Sequence, residues 1–293
     1  MPFKIRPLSA GLGAEIIGVN LAEPLDDATF AEIEQAWRDH LLLLFRDQPL
    51  DHIQHMQFSR RFGALDDHAS VARLRDQNVH EILPVVNNEE DGQKLRLGAQ
   101  WHSDLSHALV PARGSLLRCE QLPPVGGDTM FCNMYMAYDT LSDTMKGMLD
   151  GLYAIHDLRI ALHNRGKDLQ AVKERTPPVA HPLVRIHPET GRKALFISEM
   201  ATSGIVGMRP EESQPLLDFL FRHSVKPEFT YRHQWRVRDL LAWDNRCTNH
   251  LALGDYPLNV PRRMYRTTLL GTPTGGFQLE DDADVRNAAL RVA

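Results

Sequence analysis

Cysteine is scarce in this chain, and the few residues present lack the spacing of a zinc site. The 293 residues include only Cys119, Cys132 and Cys247. An odd number of widely separated cysteines predicts reduced thiols rather than a disulfide framework. Cys247 precedes His250 by three positions, and we interpret it as a structural residue.

The chain also lacks long apolar runs and any excess of basic residues. No stretch approaches the roughly 20 apolar residues of a membrane span, and the first residues lack the apolar core of a signal peptide. Lys and Arg number 33 against 38 Asp and Glu, and the formal net charge of -5 is not the basic footprint of a nucleic-acid-binding protein. We therefore expect a cytoplasmic protein that neither spans a membrane nor binds DNA or RNA. Its 43% hydrophobic and 24% charged residues fit a single domain spanning 1–293.

Two distant segments carry residues that can bind a metal ion. If residues 100–105 are extended, His102 and Asp104 project from the same face, roughly 7 Å apart. The apolar segment 240–243 leads into a polar run ending at His250, as a core strand does when it delivers a ligand from its end. Two imidazoles and one carboxylate, with open positions opposite, are typical of non-haem Fe(II) oxygenases. A His-x-Asp pair by itself is weak, and the alternative is a solvated surface loop.

A short basic segment follows the second motif. In a strand, Arg262, Met264 and Arg266 share one face, whereas Arg263 and Tyr265 point the other way. Two guanidiniums are too costly to bury unpaired, and their planar forks match carboxylate, sulfonate or phosphate oxygens. The pattern therefore indicates two anionic ligands beside the metal. The alternative is a basic strand end on the surface, paired with nearby acidic residues.

In order and spacing these motifs resemble the Fe(II)/2-oxoglutarate-dependent dioxygenases of the taurine dioxygenase and 2,4-D dioxygenase (TauD/TfdA) family. The resemblance runs from about residue 5 to residue 271, nearly the whole chain. The matching segments are 11–16 (GLGAEI) with 18–19 (GV), 45–48 (FRDQ), 61–63 (RFG), 101–104 (WHSD), 126–129 (GGDT), 181–185 (HPLVR) with 187–188 (HP), 243–246 (WDNR) with His250, and 266–268 (RTT).

The resemblance assigns roles by position. It implies that Thr129 and Arg262 hold the distal carboxylate of 2-oxoglutarate, and the strand period disfavours Arg263 for that role. It also implies that Arg266 anchors the anionic group of the substrate, with His68 assisting. The iron ligands implied by the resemblance are His102, Asp104 and His250.

The sequence departs from the taurine-using members at four pocket positions. By motif spacing, those members have Tyr at Val71, Asn at Gly98, and Phe at Leu158 and Ala201. Smaller or apolar residues predict a wider, more apolar pocket that still ends in a guanidinium. Taurine therefore fits poorly, since its amine would lose polar partners, and a longer or aromatic acid fits better.

The resemblance implies a reaction and its cosubstrates. With Fe(II), 2-oxoglutarate and O2, such enzymes release succinate and CO2 while hydroxylating a small anionic substrate such as a sulfonate, a sulfate ester or an aryloxyalkanoate. Asp104 argues against halogenation, because halogenating relatives replace the iron-binding carboxylate with a small residue. Two alternatives are a metal-binding jelly roll without oxygenase activity and a zinc hydrolase, and neither requires Thr129, Arg262 and Arg266 together. The family also implies a homo-oligomer, a dimer or a tetramer.

Hydrophobic periodicity predicts three helices. The first runs over 28–39 with Asp27 as its cap. The second is capped by Asp51 and ended by Gly63, with His52 and His55 on its surface. The third covers 211–221, buries residues 216, 217, 219 and 220, and accepts Pro215 only in its first turn.

Short strand-like runs separated by turns complete the pattern. They predict an α+β protein with a jelly-roll core, and the resemblance specifies a double-stranded β-helix with flanking helices. Residues 160–181 form either an active-site lid or a solvated loop, and the tail after about residue 275 is expected to fray. The predicted strands are 41–45, 115–120, 129–132, 183–186, 194–198, 228–231, 239–243 and 264–271.

Overall fold

The computed structural model describes residues 3–69, 76, 78–86, 98–162, 168–257 and 259–279. Within these residues the protein is a mixed α/β molecule with several sheets. Each described helix is too short or too polar to cross a bilayer. The helices are α1 (Asp27–His40), α2 (His52–Arg60), α3 (Met134–Asp139), α4 (Asp143–Leu149), α5 (Leu158–Leu162), α6 (Leu169–Arg175) and α7 (Pro210–Ser224).

The strands form four sheets. They are β1 (Lys4–Pro7), β2 (Ala14–Ile17), β3 (Leu42–Phe45), β4 (Leu83–Val86), β5 (Gly114–Gln121), β6 (Thr129–Asn133), β7 (Tyr153–His156), β8 (Val179–Pro182), β9 (Val184–Ile186), β10 (Lys193–Leu195), β11 (Thr202–Ile205), β12 (Thr230–His233), β13 (Leu240–Asp244), β14 (Thr248–Ala252), β15 (Arg263–Leu269) and β16 (Phe277–Gln278). The large sheet has the order β1-β2-β3-β13-β5-β15-β4, and a three-stranded sheet has the order β12-β6-β14. A four-stranded sheet, β11-β7-β8-β16, and the pair β10-β9 complete the set.

The large sheet is covered on both faces, which explains the continuous apolar run of β3. Leu42 and Leu44 lie in a core cluster that also contains Phe131 of the three-stranded sheet. Leu43 and Phe45, which alternate with them, lie in a second cluster with helix α1. Side chains of successive strand residues point to opposite faces, so a strand buried on both sides has no polar alternation.

Helix α1 begins one residue earlier than expected. Its N-cap is Asp26, whose carboxylate accepts a hydrogen bond from the Thr29 backbone N–H, whereas Asp27 is the first helical residue. A cap needs an extended backbone and a side chain that reaches the third helical N–H. Asp26 meets both conditions, so the assignment of Asp27 as the cap was wrong.

Helix α2 has the predicted cap but a different end and a different histidine. Asp51 and Gln54 form a reciprocal capping box, which confirms Asp51. The helix ends at Arg60, three residues before Gly63. His55 is fully buried rather than on the helix surface, so that expectation was also wrong.

Helix α7 contains Pro215 in its interior. The helix starts at Pro210, so the predicted start at 211 is close, but Pro215 is its sixth residue rather than a first-turn residue. Proline there removes one backbone donor and strains the turn before it, and burial of Leu217 and Leu220 compensates. Phe219 is 40% exposed, which corrects its assignment to the buried face.

Every predicted strand overlaps an observed one, and two of them, at β10 and β12, are clearly shifted. Strand β10 stops at Leu195, because Ser198 enters a turn bonded to Thr202. The segment before β12 is a 3-10 helix at Pro227–Phe229. Strand β16 pairs with β8, so the tail after 275 is ordered at least through these residues. Residues 160–162 and 168–181 include parts of α5 and β8 and the whole of α6, and whether this region is a lid stays a prediction.

Candidate active site

The two predicted metal-binding segments meet at the edge of the first core cluster. His102 and His250 exchange backbone hydrogen bonds of 2.9 and 2.7 Å, and their rings lie 4.0 Å apart. One ligand atom each from His102, Asp104 and His250 lies within 4.8 Å of the others, and all three residues are buried. Of His102 and Asp104, only His102 takes part in a strand-like pair, because a turn begins at Asp104. The carboxylate nevertheless converges with both imidazoles.

A hydrogen bond holds the His102 imidazole in an orientation suited to binding a metal. His102 Nδ1 lies 2.8 Å from the carbonyl oxygen of Gln100. A ring whose Nδ1–H donates to a carbonyl leaves Nε2 as the free ligand atom. Burial lowers the pKa of both His102 and His250, so the neutral, metal-binding form is favoured.

Asp104 is the most strongly held residue of the cluster. Ser115 Oγ donates to its Oδ2 at 2.7 Å, and Arg266 donates to its Oδ1 at 2.5 Å. Asn245 supports Ser115 through a 3.0 Å hydrogen bond. Burial raises the pKa of Asp104, but Arg266 and the two imidazoles outweigh it and hold the pKa well below its usual value. The carboxylate is therefore ionised.

This donor set fits a divalent metal ion. Two neutral imidazoles and one ionised carboxylate form the facial triad of non-haem iron sites. Nδ1 of His250 is buried and has no hydrogen-bond partner among the described residues, and an unsatisfied polar atom of this kind is costly unless a ligand compensates it.

A second buried cluster also contains residue types that can bind a metal, but its carboxylate is already engaged in ion pairs. His187, Asp244 and Cys247 each place one potential ligand atom within 4.8 Å of the others. The carboxylate of Asp244 already pairs with Arg246 at 2.6 Å and His187 at 3.0 Å. Burial raises the pKa of the Cys247 thiol well above its ordinary value, so the thiolate that a metal requires is disfavoured. We interpret this cluster as an ion-pair network.

The next feature is a buried guanidinium beside a glycine turn. Arg262 is 6% exposed, and its Nε donates to Gly127 O at 3.0 Å. Among the described residues no carboxylate lies within the 4.0 Å ion-pair distance of Arg262. Arg263, by contrast, is exposed, which agrees with the period-two expectation. A buried guanidinium without an acidic partner is suited to binding an anion.

Close packing explains why glycines occupy that turn. Gly126 and Gly127 have φ of +81° and +76°, which L side chains rarely adopt. A Cβ at Gly126 would lie 2.6 Å from the carbonyl oxygen of Asp255. Asp255 also accepts the Gly127 backbone N–H at 2.8 Å. Thr129, two residues further on, is 3% exposed and accepts a hydrogen bond from Trp235.

Two of the residues expected to contact substrate lie beside the metal-binding cluster. His68 is 3% exposed, and Nε2 of its ring is buried with no hydrogen-bond partner in the part of the chain that the structure describes. Burial and then the charge of Arg266 lower the pKa of His68. A Cβ on Gly98 would lie 2.9 Å from Cε1 of His102, so Gly98 packs directly against the His102 ring.

The other pocket residues are placed less directly. Asp157, just before Leu158, donates its backbone N–H to the carbonyl oxygen of Ala201 at 2.7 Å. Met200, next to Ala201, donates its backbone N–H to the carbonyl oxygen of Trp101 at 3.2 Å, and Trp101 precedes His102. Val71 lies outside the described residues.

Sequence reasoning missed Ser115, Asn245 and Trp235. Asn245 stands within a recognised motif, but nothing in its residue type shows that it supports Asp104. Ser115 and Trp235 act through partners far away in the chain. No local pattern signals such contacts.

In sequence and in structure the chain is similar to known dioxygenases. The family model described as "Taurine catabolism dioxygenase TauD, TfdA family" matches residues 4–268. The (S)-phenoxypropionate/alpha-ketoglutarate-dioxygenase of Sphingobium herbicidovorans is 36% identical over 281 residues, covering 92% of this chain and 96% of the relative. The alpha-ketoglutarate-dependent 2,4-dichlorophenoxyacetate dioxygenase of a Burkholderia species is 37% identical over 284 residues, covering 91% and 93%. The crystal structure of AAD-2 in complex with Mn(II) and N-oxalylglycine has a TM-score of 0.82 and 33% identity, covering 94% of this chain and 99% of that chain.

Proposed function

We propose that this chain, which belongs to the TauD, TfdA family of dioxygenases, is an Fe(II)- and 2-oxoglutarate-dependent dioxygenase of small anionic organic substrates. We base this on one observation above all: a buried His102, Asp104 and His250 cluster accompanied by a buried arginine, Arg262, without an acidic partner among the described residues. Hydrolysis would need the metal ligands but not a second, separate anion site.

In this proposal His102, Asp104 and His250 bind Fe(II). With iron in place, dioxygen oxidises 2-oxoglutarate to succinate and CO2 and the substrate is hydroxylated. The protein keeps Asp104 ionised through Arg266 and oriented through Ser115. Its two imidazoles are kept neutral by burial.

Thr129 and Arg262 then hold the distal carboxylate of 2-oxoglutarate. The guanidinium supplies charge, and the Thr129 hydroxyl supplies one directed hydrogen bond. Both groups attach to the 127–129 segment, since Arg262 bonds to Gly127 O. The Coulomb attraction between the buried guanidinium and a carboxylate is stronger than at the surface because water screens it less.

Arg266 and His68 bind the anionic group of the substrate. Each has a buried polar atom that no described residue contacts by a hydrogen bond, Nε of Arg266 and Nε2 of His68, so an anion between them would satisfy each. Gly98, Leu158 and Ala201 line the rest of the pocket; Val71, which the sequence also assigns there, lies outside the described residues. Glycine at 98 leaves no side chain to bond a polar substrate group, which favours an apolar body.

We rank aryloxyalkanoates first among the substrate classes, followed by sulfate ester and sulfonate substrates. Support comes from the two relatives above, whose names specify phenoxypropionate and 2,4-dichlorophenoxyacetate. Hydroxylation of the carbon next to an ether oxygen gives a product that breaks down to a phenol and a carbonyl compound. The small, apolar pocket positions suit an aromatic ring.

The architecture we propose is a double-stranded β-helix, or jelly roll, within one catalytic domain spanning 1–293. The shared core cluster between the seven- and three-stranded sheets supports it. We also propose that the protein is a homo-oligomer, as a dimer or a tetramer.

The test is succinate formation by Fe(II)-loaded protein with 2-oxoglutarate and matched panels of aryloxyalkanoates, sulfate esters and sulfonates. We expect one panel to stimulate turnover and Arg266→Ala to remove that stimulation. The exposed neighbour Arg263→Ala is the matched control and should retain it. If no panel raises succinate above the substrate-free rate, the anionic-substrate assignment is wrong.

A further inference from the structure

We propose that Trp235 is a positioning residue for 2-oxoglutarate, because its indole N–H fixes the Thr129 hydroxyl in the orientation that binds the distal carboxylate. This inference rests on the proposed function, in which Thr129 and Arg262 hold that carboxylate. It adds a residue that acts through Thr129 without touching the cosubstrate itself.

The direction of one hydrogen bond carries the inference. Trp235 Nε1 and Thr129 Oγ1 lie 3.0 Å apart, and both residues are buried. An indole N–H can only donate, so the threonine oxygen must accept, and its own proton must go to another acceptor. Within the described residues no acceptor for that proton is found. The hydroxyl is therefore a single donor whose rotation the indole restricts.

The short segment that carries this hydroxyl also contacts the Arg262 guanidinium. Thr129 begins strand β6 two residues after Gly127, and the carbonyl of Gly127 accepts the Nε–H of Arg262. One short segment thus carries a charged donor and a neutral donor. A carboxylate has two oxygens and accepts both kinds of bond. Fixing the donors before the ligand arrives reduces the entropy lost on binding.

A buried network holds the indole in place. The ring of His233 meets Trp235 edge-on, with centroids 4.6 Å apart at 89°. His233 Nε2 lies 3.2 Å from Oδ2 of Asp239, which also accepts the Arg236 backbone N–H at 2.8 Å. Arg46 forms an ion pair with the same carboxylate. Such support fits a residue whose orientation matters.

The alternative is that Trp235 is a core aromatic residue whose N–H happens to find a hydroxyl. Trp37 offers a matched control, because it is buried and its Nε1 finds no hydrogen-bond partner among the residues that the structure describes. Replacing either tryptophan by phenylalanine removes a similar volume from the core. Only the change at 235 removes a hydrogen bond to Thr129.

The experiment measures binding of N-oxalylglycine, an unreactive analogue that keeps the distal carboxylate, to Mn(II)-loaded protein by calorimetry. For Trp235→Phe we expect about 5-fold weaker binding, the size of one hydrogen bond. Binding of 2-oxobutyrate, which lacks the distal carboxylate, should change less than about twofold, and so should both ligands with Trp37→Phe. With 2-oxoglutarate as cosubstrate, KM should rise while kcat at saturation stays unchanged.

Thr129 variants keep the test decisive if Trp235→Phe folds poorly. Thr129→Val should weaken N-oxalylglycine roughly tenfold, and adding Trp235→Phe to it should weaken binding no further, because the two residues act as one unit. Thr129→Ser, which keeps the hydroxyl, should bind nearly as well as the natural protein. Melting temperature and Mn(II) affinity, measured alongside, report on folding.

Two contrary results are distinguishable. If the natural protein binds N-oxalylglycine no better than 2-oxobutyrate, the carboxylate site itself is wrong, and the proposed function fails together with this inference. If the natural protein discriminates well but Trp235→Phe weakens neither ligand or both equally, only the role of Trp235 is overturned.

Discussion

At the scale of single residues, Asp104 shows how the fold orients and ionises a buried carboxylate that we propose as a metal ligand. Its two oxygens are held by different partners, Ser115 and Arg266, which come from neighbouring strands of the large sheet. The carboxylate thus stays ionised in a buried place where burial by itself would favour its neutral form. The same arginine is the one we assign to substrate.

The pair Arg262 and Arg263 gives a direct test of which guanidinium binds the cosubstrate. Arg262→Gln removes the buried charge, so KM for 2-oxoglutarate should rise by about 100-fold or more, since charged hydrogen bonds contribute roughly 1.5–3 kcal/mol each. Arg263→Gln, at an exposed position, should change it less than about twofold. Steady-state kinetics decide between them, and similar effects of both variants would count against the assignment.

The convergence of the candidate residues was largely predictable, whereas their supports were not. The motif spacing indicated His102, Asp104 and His250, and the family resemblance indicated Arg262, with the strand period disfavouring Arg263. Ser115 and Trp235 contribute through contacts that span the fold. A single sequence carries no signal for contacts of this kind.

At the scale of secondary-structure elements, the start of α1 depends on which of two adjacent aspartates caps the helix. Asp26→Ala removes the hydrogen bond to Thr29 N and should lower the midpoint of urea unfolding. Asp27→Ala loses an exposed ion pair with Arg61 and a favourable helix-dipole interaction, so it should lower the midpoint less. Urea unfolding of both variants measures the difference, and a larger cost at Asp27 would reverse our assignment.

Buried His55 on α2 should make stability depend on pH. Burial lowers its pKa to about 3, with the charge of Arg118 acting in the same direction. The unfolded chain therefore binds a proton that the folded protein does not between pH 3 and about 6.5. Stability is full above that range and falls as the pH decreases through it, by about 2 kcal/mol between pH 6.5 and 5.

Removing this histidine tests the dependence. Between pH 6.5 and 5, the unfolding free energy of His55→Leu should fall by about 2 kcal/mol less than that of the natural protein. His52→Gln, on the partly exposed side of the same helix, is the matched control. Other buried histidines contribute to the total slope, so the informative quantity is the difference between variant and natural protein. Equal slopes would show that His55 is not a buried neutral ring.

Element boundaries were the least predictable feature. The position of Pro215 argued for a helix that starts later than it does, because the cost of an interior proline was not weighed against burial of Leu217 and Leu220. The exposed Phe219 and the buried His55 likewise reversed the faces assigned by residue type. In both cases tertiary packing outweighed local propensity.

At the scale of the whole molecule, the sequence indicated many short strands but not how they join into sheets. The large sheet combines β1 to β5 with β13 and β15 from the far end of the chain. Its two covered faces explain why several strands read as continuous apolar runs. Strand order depends on long-range pairing, which only the family resemblance could suggest.

Ligand binding should stabilise the entire fold, because the proposed metal ligands come from both halves of the chain. With Mn(II) present and N-oxalylglycine at about 100 times its own Kd, binding should raise the free energy of unfolding by about 2.7 kcal/mol. For a protein of this size that corresponds to a rise of roughly 5–10 °C in melting temperature. His102→Ala should lose the rise and His52→Gln should keep it, and a rise retained by His102→Ala would place the site elsewhere.

The most direct measurement of the central claim is the origin of the oxygen in succinate. The Fe(II)-loaded protein is supplied with 2-oxoglutarate under isotopically labelled dioxygen, and succinate is analysed by mass spectrometry. We predict one labelled oxygen atom in each succinate molecule, and no succinate from His102→Ala. If the natural protein forms no labelled succinate, but acts on a substrate with oxygen taken from water, the site is a hydrolase and its assignment as a dioxygenase is wrong.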